Sequence, residues 1–267
     1  LGREAESRAA ALATNRGGET ATLYFGGGTP SMLSDTHLGH LMETLDRLVP
    51  VDKLDEFSFE ANPATFTEKK VRFWRSLGMT RVSLGVQSLD SGILHLLGRE
   101  HTPAQALHSV EMLKNAGMPH INMDLMFAIP GQTLSIWEAT LKEAVRAGTD
   151  HISAYNLTYE EDTEFFRSLL RGEKRQDPDE DAAFFELAEH MLEAAGLRHY
   201  ETSNYAREGC ISPHNMAYWK GEDYVGIGPG AVSTINGIRY SNTRDTDAYI
   251  RSTLENGLPL SEQEPEI

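Results

Sequence analysis

The sequence predicts an α/β fold built on a parallel sheet, and three features of the chain support this prediction. Short apolar segments alternate with helical patterns along the first 196 residues. The starts of the apolar segments recur about every 25 to 40 residues, which is the length of one strand–helix unit. Repeated units of this kind form a parallel sheet with right-handed crossovers, as a barrel, a partial barrel or a doubly wound sheet. The predicted helices also end just before glycines, which stop helices because they adopt the left-handed conformation at little cost, at Gly78, Gly117, Gly148 and Gly196.

The elements follow in order along the chain. The predicted strands are 21–25, 56–60, 81–86, 121–127 and 151–157. The predicted helices are 35–48, 67–77, 91–97, 103–116, 134–147 and 179–195. After Gly196 the sequence is rich in glycine, aromatic and β-branched residues, which predicts short, partly antiparallel strands and a last helix at 246–255; residues 261–264 resemble the start of another helix. We therefore expect a partial barrel at 1–196 and a small α+β appendage at 197–267.

The composition limits the classes of function. The chain has 267 residues, 40% of them apolar and 24% charged, which is typical of a soluble globular protein. A formal net charge of −16 argues against nucleic acid as the main partner, because phosphate binding needs a basic surface. No apolar segment approaches the roughly 20 residues of a membrane span, and no signal peptide is visible, so we expect a cytoplasmic protein. The single cysteine, Cys210, excludes an intrachain disulfide and suits a reducing compartment.

A glycine-rich turn follows the first predicted strand. In parallel α/β folds, ligands bind at the carboxyl ends of the strands. The three glycines at 26–28 let backbone groups approach a ligand closely, and Thr29 and Pro30 follow them. A tight strand-to-helix turn would need only one or two glycines. The turn is not a phosphate loop, because the Gly-Lys-Ser/Thr ending is absent. The pattern therefore favours a ligand contact through the backbone.

Polar residues follow the next three strands. Glu60 ends the second strand, where the alternative is an exposed carboxylate, and Gln87 after the third offers a donor and an acceptor. Arg99 could bind a carboxylate through two hydrogen bonds, or be a solvated charge. Asp124 lies inside an apolar segment, so its carboxylate must bond a partner such as a ribose diol or a neighbouring backbone. Together these groups suit a ligand with an ammonium, a carboxylate and a ribose.

Five motifs in these segments resemble a known family. They are YFGGGTPS at 24–31, ExNP at 60–63, RVSLGVQS at 81–88, LGRxH at 97–101 and NMDLMFxIPGQT at 122–133. From about Ala21 to Asn242, the sequence resembles the radical S-adenosylmethionine (SAM) family of oxygen-independent coproporphyrinogen III oxidases, in the same order and spacing. The resemblance implies a partial (β/α)6 barrel, one 4Fe-4S cluster and bound SAM.

The resemblance also implies roles for particular residues. It places the methionine part of SAM on the glycine turn. Other positions match residues that contact SAM in the family. The implied SAM-binding residues are Gly27, Gly28, Thr29, Glu60, Gln87, Arg99, Asp124 and, at the end of the fifth strand, Thr158.

The sequence departs from the family at the cluster. The family holds its cluster with a Cys-x3-Cys-x2-Cys loop after its first strand, and this sequence contains only Cys210. We expect that strand and the cysteine loop upstream of Leu1. The residues of this chain alone could not hold the cluster or cleave SAM reductively.

The appendage contains a His-Asn-x-x-Tyr-Trp motif with His214, Tyr218 and Trp219. The motif resembles the HemW branch of the family, regarded as heme-binding chaperones that pass heme to other proteins. The decarboxylating oxidases of the HemN branch lack it. His214 could ligate heme iron while Tyr218 and Trp219 pack on the porphyrin. Alternatively, His214 caps a turn and the aromatic residues fill the core of the appendage.

Three functions stay open on the sequence. The first is a SAM-binding heme chaperone with a heme-acceptor protein as its partner. The second is an enzyme, a radical SAM oxidase that decarboxylates coproporphyrinogen III. The third is a barrel enzyme that binds another nucleotide-like ligand without a cluster. The sequence does not determine the oligomeric state or the heme recipient.

Overall fold

The structure is a computed structural model, and it describes residues 1–8, 21–157, 178–255 and 257–265. Thr158 lies outside the described residues. The chain forms two compact units. The barrel unit comprises Phe25–Met32 and Ser58–Ile211, and the outer unit comprises Leu1–Tyr24, Leu33–Phe57 and Ser212–Ile267. Both units are assembled from separated segments, and the chain-wise division at Gly196 stays a prediction.

The main sheet has seven strands in the order β1-β2-β3-β4-β5-β7-β6. Strands β2 to β5 pair in parallel, whereas β7 runs antiparallel to both β5 and β6. The sequence therefore predicted the parallel order, and the antiparallel pair after residue 196 extends the same sheet. The strands are β1 Thr22–Phe25, β2 Glu56–Ala61, β3 Arg81–Gln87, β4 His120–Phe127, β5 His151–Asn156, β6 Arg198–Glu201 and β7 Asn204–Ala206.

Most of the helices begin at residues whose side chains cap their free amides. Thr102 accepts a hydrogen bond from the Gln105 amide while the Gln105 side chain accepts from Thr102, and this capping box starts its helix. The helices are α1 Gly2–Ser7, α2 Asp35–Leu48, α3 Glu68–Ser76, α4 Ser91–Leu96, α5 Pro103–Asn115, α6 Leu134–Ala147, α7 Pro178–Ala194, α8 Pro213–Trp219 and α9 Thr246–Leu254. Among the helices of the described residues, none combines the length and the apolar character of a membrane-spanning segment.

Alternate residues of the parallel strands have opposite character. Phe59, Leu84 and Met123 are fully buried, and the Phe59 ring lies 4.7 Å from that of Trp74 in α3. Burying each such side chain contributes about 1.5–3 kcal/mol, so this apolar face stabilises the sheet against its helices. The residues between them are mostly polar.

The polar residues form rows across the sheet, because residues paired in register lie on the same face. We call this side the polar face. Its first row is Glu60, Ser83, Asn122 and His151, and its second row is Gly85, Asp124, Ser153 and Asn204.

The outer unit contains a three-stranded antiparallel sheet in the order β10-β9-β8, with strands β8 Val232–Ile235, β9 Ile238–Asn242 and β10 Leu260–Pro265. The helix start expected at 261–264 is therefore wrong, since the backbone there pairs with β9. Helix α8, which the sequence did not predict, begins at Ser212, whose hydroxyl accepts from the Asn215 amide.

One buried carboxylate ties the ends of the outer unit together. Glu4 in α1 lies 3.0 Å from Arg8 Nε and accepts hydrogen bonds from Asn242 Nδ2 at 2.7 Å. It also accepts from the Tyr249 hydroxyl at 2.7 Å and from the Gly228 amide at 2.9 Å. A buried charge is stable only when it is paired and hydrogen-bonded. These bonds therefore fix the packing position of α1 against β9 and α9.

Candidate functional site

The glycine turn after β1 is exposed and open on its outer side. Gly27 has φ +95°, a left-handed conformation that favours glycine, and its amide donates to Glu60 Oε2 at 3.1 Å. At Gly28, an added Cβ would meet no atom within 4 Å, and no left-handed φ requires glycine there. Turn geometry therefore accounts for Gly27 but not for Gly28. Because glycine has no side chain and the turn is exposed, a ligand can approach its backbone closely.

Asn62 connects the turn to the end of β3. Its Nδ2 donates to Thr29 Oγ1 at 3.3 Å. A Cβ on Gly85 would lie only 2.8 Å from Asn62 Oδ1 and 3.1 Å from Gln87 Nε2. Glycine at 85 is thus required by packing, because it lets the two amide side chains lie side by side over the strand. Thr29, Asn62 and Gln87 form one continuous polar edge.

Gln87 has an unusual backbone. Its φ is +67°, and the pairing of β3 with β4 shifts register between Gly85 and Gln87. The left-handed conformation of a non-glycine residue raises the free energy of the folded state by about 1–3 kcal/mol. Residues strained in this way cluster at functional sites. The register shift and the strained backbone both lie at the carboxyl end of β3, where the Gln87 side chain meets Asn62 over Gly85.

Asp124 lies half-buried near the end of β4. Ser83 Oγ donates to its Oδ2 at 2.8 Å and Asn122 Nδ2 to its Oδ1 at 2.7 Å. Burial raises the pKa of Asp124 to about 6, and the negative charge of Glu60 adds to this, while hydrogen bonds from Ser83, Ser153 and Asn122 oppose it. The carboxylate is ionised at neutral pH but is easily protonated in mild acid.

Arg99 lies half-buried in the loop after α4. Burial lowers the pKa of its guanidinium, and the charge of Asp124 acts in the opposite direction. Within the described residues, no hydrogen bond of its side chain is recorded. A partly desolvated guanidinium of this kind can bind the carboxylate of a ligand through two parallel hydrogen bonds.

The structure brings most of the predicted residues together in the barrel unit. The turn, Glu60 and Gln87 are linked by hydrogen bonds and packing. The charge of Glu60 acts on Asp124, and the charge of Asp124 acts on Arg99. Sequence reasoning did not single out several supporting residues. Their signal was a spacing of two residues, which puts side chains on one strand face. The missed residues are Asn62, Ser83, Asn122 and Ser153.

His214 lies in the outer unit, in the short helix α8. Its Nδ1 lies 2.8 Å from Thr22 Oγ1, and its ring stacks on Tyr24 with centroids 4.7 Å apart. Tyr218 contacts the same ring edge-on at 5.1 Å. Burial lowers the pKa of His214, and the charge of Glu56 opposes this shift, so the imidazole is neutral at neutral pH.

The two aromatic residues that follow His214 are exposed. Tyr218 is 49% and Trp219 is 59% exposed. Side chains this exposed do not fill a core, which argues against the alternative in which both aromatic residues pack inside the appendage. Exposed aromatic faces beside a histidine are available to a flat apolar ligand.

Cys210 belongs to a different group of side chains. The possible ligand atoms of His120, Asp150 and Cys210 lie within 4.8 Å of one another. Both carboxylate oxygens of Asp150 are already occupied, because Oδ2 lies 2.7 Å from His120 Nδ1 and Oδ1 accepts from the Ile121 amide at 2.8 Å. We interpret Asp150 as a structural residue whose hydrogen bonds hold the start of β4 next to the start of β5. A 4Fe-4S cluster needs several thiolates, and the residues of this chain do not supply them.

Comparison with known proteins identifies the family. Residues 3–144 match the model of the radical SAM superfamily. The heme chaperone HemW of Bacillus subtilis is 36% identical over 240 residues, covering 89% of this chain and 63% of the relative. HemW of Lactococcus lactis is 36% identical over 232 residues, covering 86% and 61%. The mitochondrial radical S-adenosyl methionine domain-containing protein 1 of Danio rerio is 37% identical over 211 residues, covering 79% and 48%.

Among solved structures, the radical SAM enzyme coproporphyrinogen III oxidase (HemN) of Escherichia coli has a TM-score of 0.82 at 21% identity. The match covers 100% of this chain and 63% of that protein, and it confirms the predicted partial barrel. The chain spans somewhat under two thirds of the length of the HemW relatives named above. The match to the superfamily model covers more than half of the chain, and the HemW relatives agree with it. This chain therefore belongs to the radical SAM superfamily, a membership that implies SAM and a 4Fe-4S cluster as its cofactors.

Proposed function

We propose that the barrel unit binds SAM at the carboxyl ends of β1 to β4, within a heme chaperone of the HemW type. The observation that supports the site most strongly is the convergence of Glu60, Arg99 and Asp124 beside an open glycine turn. SAM has an ammonium and a sulfonium against one carboxylate, so its net charge is positive. Two carboxylates and one guanidinium complement that charge.

Each group has a role that its chemistry allows. The turn at Gly27 and Gly28 offers backbone groups to the methionine end of SAM. Glu60 is oriented by the Gly27 amide and faces the ammonium, while Arg99 pairs with the carboxylate. Asp124 accepts hydrogen bonds from the ribose hydroxyls, which requires its ionised form. Gln87 adds a donor and an acceptor, and Thr158 is proposed as a further contact.

Substitutions that keep the shape of these carboxylates test the SAM site. We expect Asp124→Asn and Glu60→Gln each to weaken SAM binding about tenfold or more, because each removes a charged acceptor. SAM affinity is measured by equilibrium dialysis on the reconstituted full-length protein. Glu100→Gln, at an exposed position next to Arg99, is a matched control. An unchanged affinity in both variants would refute the assigned roles.

We also propose that His214 ligates heme iron. Its Nδ1 faces Thr22 Oγ1, which leaves Nε2 for the metal, and the ring is neutral as ligation requires. Stacking on Tyr24 fixes the plane of the ring. The exposed Trp219 and Tyr218 offer faces for the porphyrin. The relatives named as heme chaperones support this proposal, with a heme-acceptor protein as the partner.

Heme titration of the full-length protein tests the ligand. We expect saturable binding with a Soret band in the absorption spectrum, and a shifted band with at least tenfold weaker binding in His214→Ala. His190→Ala, a histidine of α7 in the barrel unit, is the control. Wild-type spectra and affinity in His214→Ala would exclude His214 as the ligand.

The alternative is an oxygen-independent coproporphyrinogen III oxidase, favoured by the fold of its structural relative HemN. An anaerobic assay of porphyrinogen decarboxylation separates the two functions. Turnover above background would make decarboxylation the main activity and would count against the chaperone. Superfamily membership leaves the third hypothesis, a barrel enzyme without a cluster, without support. The cytoplasmic location and the avoidance of nucleic acid stay predictions.

A further inference from the structure

A buried series of hydrogen bonds leads from Asp124 into the polar face of the sheet. Asn122 Nδ2 donates to Asp124 Oδ1 at 2.7 Å, and His151 Nδ1 lies 2.6 Å from Asn122 Oδ1. His151 Nε2 lies 2.8 Å from the hydroxyl of Tyr200 in β6. Asn122 is 4% and His151 1% exposed, whereas Tyr200 is half-buried. We call these four residues the Asp124 network.

The carboxylate determines the direction of every bond in the network. Ionised Asp124 can only accept, so Asn122 turns its amide nitrogen to Asp124 and its oxygen to His151. Burial above all, with the charge of Arg81, lowers the pKa of His151 to about 3, so its ring is neutral. A neutral ring that donates through Nδ1 must accept through Nε2, and it accepts from Tyr200. All the donors therefore point toward Asp124.

Other charged and titratable groups lie around the network, but none of them is recorded as a donor to Asn122 Oδ1 in the described residues. In the part of the chain that the structure describes, His151 is the donor recorded to Asn122 Oδ1. Asn122 Nδ2 also lies 2.7 Å from Ser83 Oγ and 2.8 Å from Ser153 Oγ, so the two serines and the histidine together fix the orientation of the Asn122 amide. The surrounding groups are Glu60, Arg99 and Tyr155 near Asp124, and Arg81, His120 and Asp150 near His151.

We propose that His151 and Tyr200 are positioning residues for SAM binding, which hold Asn122 so that Asp124 stays charged and correctly oriented. The inference rests on the proposed SAM site, since Asp124 is the residue that would contact the ligand. Without the His151 donor, only the contacts of Nδ2 hold the Asn122 amide, so a larger fraction of molecules has the amide rotated with its oxygen against the carboxylate. Two acceptors would then face each other, which favours a protonated Asp124.

The network predicts an effect on Asp124 that a purely structural role would not produce. The pKa of Asp124 is measured by 13C NMR on full-length protein labelled at the aspartate carboxyl carbon, with Asp124→Asn identifying the resonance. We expect His151→Phe to raise this pKa and to weaken SAM binding about two- to tenfold at pH 7, as the loss of one hydrogen bond implies. His151→Asn keeps a donor near the position of Nδ1, and it should restore both properties in part.

The control substitution is His199→Phe. His199 lies in β6, and its ring stacks on Tyr205 at 4.6 Å, outside the network. This variant should leave the pKa of Asp124 and the affinity for SAM unchanged. If His151→Phe does not fold, Tyr200→Phe decides the matter, because it removes only the terminal hydroxyl of the network. A smaller increase in the pKa of Asp124 is expected there.

An unchanged Asp124 pKa in the folded His151 variant, or in Tyr200→Phe where the former does not fold, would overturn the inference. Equal shifts in the His199 control would also overturn it. Failure of the proposed SAM site looks different. In that case Asp124→Asn would bind SAM normally, while the NMR titration would still report whether the network acts on Asp124.

Discussion

At the end of β4, one carboxylate must stay charged in surroundings that disfavour charge. Burial raises the pKa of Asp124 to about 6, and in the proposed SAM site only the ionised form accepts from both ribose hydroxyls. Protonation increases as the pH falls through this value, so binding is expected to be constant above about pH 7 and to weaken by up to about tenfold per pH unit below 6.

SAM affinity measured between pH 5 and 8 checks this expectation. Asp124→Asn has no proton to gain at this position, so it should bind weakly at all pH values and lack the inflection near 6. Any pH dependence that the variant retains belongs to other groups, among them Glu60. An identical profile for the two proteins would mean that Asp124 does not control binding.

Gln87 combines backbone strain with a side chain that we propose contacts SAM. Its φ of +67° is easy only for glycine, so Gln87→Gly should keep or raise stability, by up to about 1 kcal/mol, while SAM binding weakens with the loss of the amide. Ala64→Gly is the control, since Ala64 has φ +62° but is no proposed ligand contact. Chemical unfolding and equilibrium dialysis measure the two effects. A clear loss of stability in Gln87→Gly, with Ala64→Gly unaffected, would show that the amide holds the fold instead.

The residues that we propose as ligand contacts stand out in the sequence more clearly than those that support them. Glu60 and Gln87 stand near strand ends and Asp124 is a carboxylate inside an apolar strand, all three within motifs, so their position and type both point to binding. Asn122 and His151 act through pairing between neighbouring strands. That pairing depends on register, which a single sequence does not specify. The supporting residues could be inferred only as polar positions within apolar strands.

At the scale of elements, strands and helices with strong local signals were predicted closely. Helix α2 was predicted at 35–48 and spans Asp35–Leu48, because Ser34 caps its first turn and apolar residues repeat along one face. Helix α6 was predicted at 134–147 and ends at Gly148, whose φ of +65° is left-handed. Local chemistry determines both boundaries.

Elements that depend on distant partners were not predicted. The polar residues at 261–264 have little preference for strands, yet the backbone pairs with β9 and forms β10. Helix α8 has only seven residues, too few for a helical repeat to stand out in the sequence. In both cases tertiary contacts outweigh local propensity, and α8 is the element that presents His214.

The outer unit joins segments from both ends of the chain, and Glu4 is the point where they meet. Its carboxylate bonds Asn242 and Tyr249, which lie 238 and 245 residues further along the sequence. Arg8, also buried, pairs with Glu4 and donates to Asn242 Oδ1 at 2.9 Å. Such long-range bonds fix which segments pack together, and their loss cannot be compensated locally.

Glu4→Ala should therefore destabilise the outer unit severely. The substitution leaves the Arg8 guanidinium buried without its carboxylate, and breaking a buried pair in this way costs about 3–5 kcal/mol. Glu6→Ala is a matched control in the same helix, because Glu6 is 57% exposed and lies 3.8 Å from the exposed Arg47; it should cost less than about 1 kcal/mol. Urea unfolding followed by tryptophan fluorescence measures both, with Trp219 reporting on the outer unit. If the two variants unfold at the same urea concentration, Glu4 does not hold the unit together. The packing of α1 would then depend on its apolar contacts.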